Sequence, residues 1–294
     1  MKKLASLSSV LAALPLAACG TMALDEPQSL GERNAAYSYI PLDPLPVFIT
    51  NRKGCPTASA SDPRTLMDSL PDNAVRIAIR EIIGKGDVSL GPVAVGTSGS
   101  RYQVVLDYIN VDTANIRFSV GVKGDEELLP LSTYSEGREY FARRIDDSAV
   151  TGPNLVVIPV YVGVGLRLTA NVEVLRGKVN LASLGAIAAG AEANRVAGSL
   201  VVQTLGINGK QVAATLPLPS ELNATTVQQA IQSLGAIKAI MYDTQNTRVV
   251  PRVTGIYNPL ETDDPKLINL IVSQLAESHI PWSPPCAGAG TTAD

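Results

Sequence analysis

Histidine is almost missing from this chain: His279 is the only one in 294 residues. A single imidazole excludes any catalytic or metal site that needs two. Just ahead of Ile280-Pro281, His279 reads as the end of a helix, where positive charge is favourable. Cysteine is scarce as well, limited to Cys19, Cys55 and Cys286. Aromatics make up 4% of the chain and Trp282 is the only tryptophan, which counts against a carbohydrate-binding cleft. No Lys/Arg cluster appears and the formal net charge is −3, so nucleic acid is not the expected partner. Beyond the N-terminus no apolar run reaches about 18 residues, so no transmembrane helix is predicted. No phosphate-binding glycine motif precedes a helix, and no Ser-x-x-Lys pair is present. Gly96-Thr97-Ser98-Gly99-Ser100 lies between two β-like runs, not at a strand-to-helix elbow, and reads as a glycine-rich turn. A two-carboxylate hydrolase would have to gather Glu126, Glu136, Glu139 and Asp147 into one pocket. Such acidic pairs are equally at home in a solvated loop. The expectation is a chain that is not an enzyme and carries no metal or cofactor.

What is present begins at the N-terminus. Lys2 and Lys3 form a short basic region, and Leu4 to Leu16 form an apolar core of secretory-signal length. That core runs directly into Leu16-Ala17-Ala18-Cys19-Gly20. This pattern resembles the lipobox of bacterial lipoproteins. The resemblance implies that residues 1–18 are a signal peptide and that Cys19 is the lipidated first residue of the mature chain. It would carry diacylglycerol on its thiol and an acyl group, such as palmitate, on its new amine. A cysteine is required there because its thiolate is the effective nucleophile among side chains. Three acyl chains exceed the single-chain case of marginal, reversible membrane binding. Gly20 stands where an aspartate would signal inner-membrane retention in enteric bacteria, so the resemblance implies an outer-membrane anchor facing the periplasm or cell surface.

Removing Lys2 and Lys3 with the leader leaves 22 basic side chains against 27 acidic, a balance of −5. With Cys19 acylated, Cys55 and Cys286 remain. In an oxidising compartment an even pair is most simply a disulfide, and two free thiols are the alternative. A bridge closing so long a loop would contribute roughly 5 kcal/mol in the chain-entropy account.

Residues 19–63 read as a lipidated N-terminus and proline-rich tether, interrupted by Pro41, Pro44, Pro46, Pro56 and Pro63. Val47-Phe48-Ile49-Thr50 is the one stretch there fit to dock as an edge strand. Residues 64–286 form the folded domain and 287–294 a loose tail. Val75, Ile77 and Ile79 alternate with polar or small residues, a strand pattern. Tyr102 to Asn110 and Ile116 to Val122 read as a hairpin turning at Asp112-Thr113-Ala114-Asn115. Residues 124–153 read as a charged excursion with a short helix around 135–144. From Val156 to Val174 every second residue is apolar, far beyond the usual strand of about 5–6 residues, and Gly163 and Gly165 mark a bend or bulge. Residues 181–193 suggest a helix, and Val196 to Val212 a hairpin turning at Asn208-Gly209. Thr225-x-x-Gln228 fits a capping box ahead of a face of Val227, Ile231, Leu234 and Met241. Asp264-Pro265 opens a second helix with Leu267, Leu270, Ile271 and Leu275, and Arg248 to Tyr257 reads as a strand.

The fold class expected is α+β, with mainly antiparallel β-sheets packed by two or three helices. The function expected is a non-enzymatic structural, assembly or accessory role at the outer membrane, with the lipid bilayer and other envelope proteins or copies of itself as partners. The alternation from 156 to 174 also suits the wall of an oligomeric β-barrel. In that reading the plan is similar to the lipoprotein that forms the curli secretion channel: lipobox, α+β periplasmic domain, membrane-inserting strands. A soluble domain crossed by one long bent strand is the plainer alternative.

Overall fold

Two strands of unusual length set the architecture of the chain. The structure is a computed structural model, and it describes residues 39–50, 66, 70, 72–83, 87–89, 95–181, 193–241, 247–258, 260, 264–277 and 280–284. In chain order the strands are β1 (Tyr39–Ile49), β2 (Asp72–Ile83), β3 (Asp87–Ser89), β4 (Val95–Thr97), β5 (Arg101–Lys123), β6 (Leu128–Leu129), β7 (Tyr140–Arg144) and β8 (Leu155–Val174). They continue with β9 (Lys178–Asn180), β10 (Val196–Leu205), β11 (Ile207–Asn208), β12 (Ser220–Glu221), β13 (Arg248–Val249), β14 (Arg252–Tyr257) and β15 (Ile280–Trp282). The described helices are α1 (Lys210–Thr215), α2 (Ala224–Ile240) and α3 (Pro265–Glu277). The fold is α+β around a large, mainly antiparallel sheet.

β5 and β8 run antiparallel along nearly their whole lengths, from Arg101 opposite Glu173 to Ser119 opposite Leu155. The other edge of β8 changes partner: β14 pairs with Val160 to Gly163, and β10 pairs with Gly165 to Val174. The two glycines flank that change. A methyl group at either would run into a carbonyl oxygen of β5, that of Asn110 at Gly163 and of Tyr108 at Gly165. They allow close backbone approach without interrupting the strand.

Alternation then divides the sheet into two faces. The even-numbered residues of β8 form one apolar stripe. Val160, Val162 and Val164 share a core with Ile237, Met241, Leu267, Ile268, Ile271 and Leu275, from α2, its C-terminal cap and α3. Leu168, Ala170 and Val172 share another with Val227 and Ala230 of α2. The odd face lies inside a curl. The order β1-β14-β8-β5-β2 brings β1 round to lie beside β2, where Arg80 Nη2 donates to the Pro41 carbonyl at 3.0 Å. Tyr39, Ala78, Val105, Ile109, Val111, Tyr161 and Leu205 fill it.

Several local expectations are corrected. The segment 39–49 of the supposed tether is strand β1, with Tyr39, Ile40 and Leu42 buried; its prolines are accommodated by a register shift between Pro41 and Leu45. The supposed hairpin at Asp112 to Asn115 is the middle of the continuous β5, because β8 supplies a partner opposite each of those residues. Residues 135–144 hold strand β7 in place of a helix, paired to β5. Asn208-Gly209 makes no hairpin: β11 pairs with β13 and the chain enters α1. The capping box of α2 is Asn223 with Thr226, and Ile231 is 55% exposed while Ala230 and Ile237 take the buried positions. Asp264 does start α3, accepting from Lys266 N at 2.9 Å. The suggested helix at 181–193 lies, apart from its ends, outside the described residues.

Candidate functional site

Charge in the middle of a β-sheet needs compensation, and the two longest strands each carry one such residue. Asp107 of β5 and Arg167 of β8 are register partners on the inner face, 0% and 4% exposed. Arg167 Nε donates to Asp107 Oδ1 at 2.7 Å and Nη2 to Oδ2 at 2.6 Å, a two-pronged pair. The remaining donors of Arg167 reach backbone: Nη1 to the Leu42 carbonyl of β1 at 2.7 Å and Nη2 to the Thr254 carbonyl of β14 at 2.8 Å. Tyr39 of β1 donates its hydroxyl to Asp107 Oδ2 at 2.5 Å. One buried carboxylate and one guanidinium therefore tie four strands together.

The electrostatics follow from that arrangement. Burial, then the charge of Asp107, holds the Tyr39 phenol well above its ordinary range. Burial is the largest influence on Arg167 and opposes its charge, yet the hydrogen bonds and charge of Asp107, with those of Tyr39, outweigh it and leave the pKa raised. Four of the five guanidinium donors of Arg167 and both carboxylate oxygens of Asp107 are engaged, the arrangement of a structural clasp.

At the rim of the curl the balance differs. Arg76, opposite Asp107 in the β2–β5 register, lays its guanidinium 5.0 Å from the centre of the Tyr161 ring. Its Nε is shut from solvent and has no hydrogen-bond partner. Arg80 makes the bond to Pro41, and burial, then the neighbouring Arg167, lowers its pKa. The Tyr39 ring meets Tyr161 edge-on at 5.6 Å between centroids.

The residues singled out from the sequence fall elsewhere. Cys19 with Leu16, Ala17, Ala18 and Gly20, the Cys55–Cys286 pair and His279 lie outside the described residues. Glu126, Glu136, Glu139 and Asp147 are all exposed. Glu139 pairs with Lys123 at 2.6 Å, and that contact lowers its pKa. Ser98 and Gly99 form the turn between β4 and β5, Gly99 at φ 87°, with Ser98 Oγ bound to the Leu175 carbonyl at 3.1 Å. Among the described residues no group of three His, Cys, Asp or Glu side chains is placed to hold a metal, and no helix is long and apolar enough to cross a membrane. No local pattern marks the clasp, because its members are 60 and 68 residues apart. The available signal is Asp107 and Arg167, each a charge flanked by long apolar alternation. No family model, curated protein or solved structure matches the chain.

Proposed function

We propose that the chain is a lipid-anchored protein of the bacterial outer membrane with a non-enzymatic structural, assembly or accessory role. The observation that carries this reading is Leu16-Ala17-Ala18-Cys19-Gly20 closing a segment that opens with Lys2 and Lys3. Three features of the domain support it. The Tyr39–Asp107–Arg167 cluster satisfies itself internally, and the four carboxylates that a hydrolase would gather are spread on open surface. The apolar stripe of β8 is covered by α2 and α3, so it is already spent on the protein core and not held out toward lipid as a barrel wall requires. That last point favours the envelope-domain reading over an export pore. The disulfide between Cys55 and Cys286 belongs to the same proposal.

Intact-mass measurement of the product isolated from a bacterial membrane tests the anchor. The expected species starts at Cys19 and carries diacylglycerol plus one acyl chain. Replacement by Ser at Cys19 should release the protein from the membrane fraction. An uncleaved chain, or one cleaved without acylation, overturns the reading.

A further inference from the structure

Among the described residues the curl is closed at one place with no strand pairing. β1 and β2 lie beside each other without a backbone ladder, and the bond across the seam is that from Arg80 to Pro41. Around the clasp stand the guanidiniums of Arg76, Arg80 and Arg167 and one buried carboxylate. Asp107 is already occupied by both prongs of Arg167 and by Tyr39. Asp43 attracts Arg80 but is exposed. Two cations therefore line one seam without a buried counter-charge among the described residues.

Arg76 is the more telling of the two. Its guanidinium lies on an aromatic face, and among the described residues no acceptor meets it, although its Nε has been taken out of water. A buried donor without an acceptor is costly, and a cation more so. The same features suit an anion receptor: a planar fork of donors beside an aromatic ring, partly withdrawn from solvent. Arg80, four residues along the same face of β2, has donors left beyond its single bond to Pro41.

We propose that the β1–β2 seam binds an oxyanion, a phosphate or carboxylate group, with Arg76 as its principal ligand and Arg80 as a second contact. The group approaches from solvent at the rim and meets the terminal donors of Arg76, which, unlike Nε, are not shut from solvent. Binding also adds a contact across the one join of the curl that has no ladder, so the oxyanion stabilises the closed sheet. This inference stands apart from the lipid anchor, since it uses only the folded residues.

The experiment is a titration of the ¹⁵N-labelled chain, residues 19–294 with Cys19→Ser, followed by the arginine Nε–Hε signals. Inorganic phosphate and acetate are each added against sodium chloride at matched ionic strength. The expected result is a saturable shift of the Arg76 signal, absent with chloride, with affinity falling at least tenfold in Arg80→Gln. In Arg76→Gln, calorimetry should show no saturable heat. Vesicles of phosphatidylglycerol and of phosphatidylcholine separate the sources. Arg76-dependent sedimentation with the anionic vesicles alone assigns the group to a lipid headgroup, and free-phosphate binding without sedimentation assigns it to a soluble ligand. A shift that grows linearly with concentration, equals that with chloride, or persists in Arg80 while absent in Arg76 overturns the proposal. Because the wild-type signal is read directly, misfolding of a variant does not decide the outcome.

Discussion

Asp107 and Arg167 stand opposite each other on β5 and β8, with both carboxylate oxygens gripped by one guanidinium at 2.7 and 2.6 Å. Removing one partner strands the other charge in a buried site, whereas removing both leaves space for apolar packing. Asp107→Asn is therefore expected to lower stability by about 3–5 kcal/mol. The double replacement Asp107→Leu with Arg167→Met should recover most of that loss. Urea unfolding of the three proteins checks it; equal losses in single and double variants would show that the pair itself stabilises the fold.

Tyr39 makes alkaline pH a probe of the same cluster. Its folded pKa is raised, so the folded state keeps a proton that the unfolded chain gives up near pH 10. The stability it contributes is complete below that value and is lost as pH rises through the window above it. Tyr140, pushed up to about 12 by burial and by its bond to Asp264, acts in the same direction. The urea midpoint is expected to fall as pH rises from about 10 toward 12, and to fall less steeply in Tyr39→Phe. A parallel decline in the variant would remove Tyr39 from the account.

Gly165 offers a steric test. An alanine there would press its methyl against the Tyr108 carbonyl and force β5 and β8 apart. Overpacking of this kind is expected to destabilise by about 1–3 kcal/mol. Gly235, whose added methyl meets nothing within 4 Å in the middle of α2, should gain from the same change, by about 1 kcal/mol. Thermal melts of the two variants should move in opposite directions.

The cap of α2 separates two readings of one short stretch. Asn223 accepts from Thr226 N at 3.0 Å and Thr226 Oγ1 accepts from Asn223 N at 3.0 Å. Asn223→Ala should cost about 1 kcal/mol, while Thr225→Ala should be nearly neutral. The reverse order would return the cap to Thr225.

What the sequence made legible is tied to distance along the chain. The period-2 run of β8 and the Asp264-Pro265 start of α3 are local patterns, and both appear as expected. Asp112 to Asn115 also look local, as turn chemistry, yet they are strand. β8 lies opposite them, and Asp112 Oδ2 is held by Trp282 Nε1 at 2.8 Å, across 170 residues. The prolines of β1 mislead in the same way, since a strand with a register shift tolerates them only when distant neighbours exist to pair with. The buried clasp needs β1, β5, β8 and β14 assembled before its charges meet. No window of sequence contains that arrangement.

β1 is bordered by β14 on one side and β15 on the other, so its partners are residues 252–257 and 280–282. During synthesis the earliest described strand must wait for nearly the whole remaining chain before either border exists. Such non-local closure makes for slow folding. It also makes the far end of the polypeptide a condition for seating the near end: a chain stopped before residue 252 leaves Tyr39 with no ladder to bring it to Asp107.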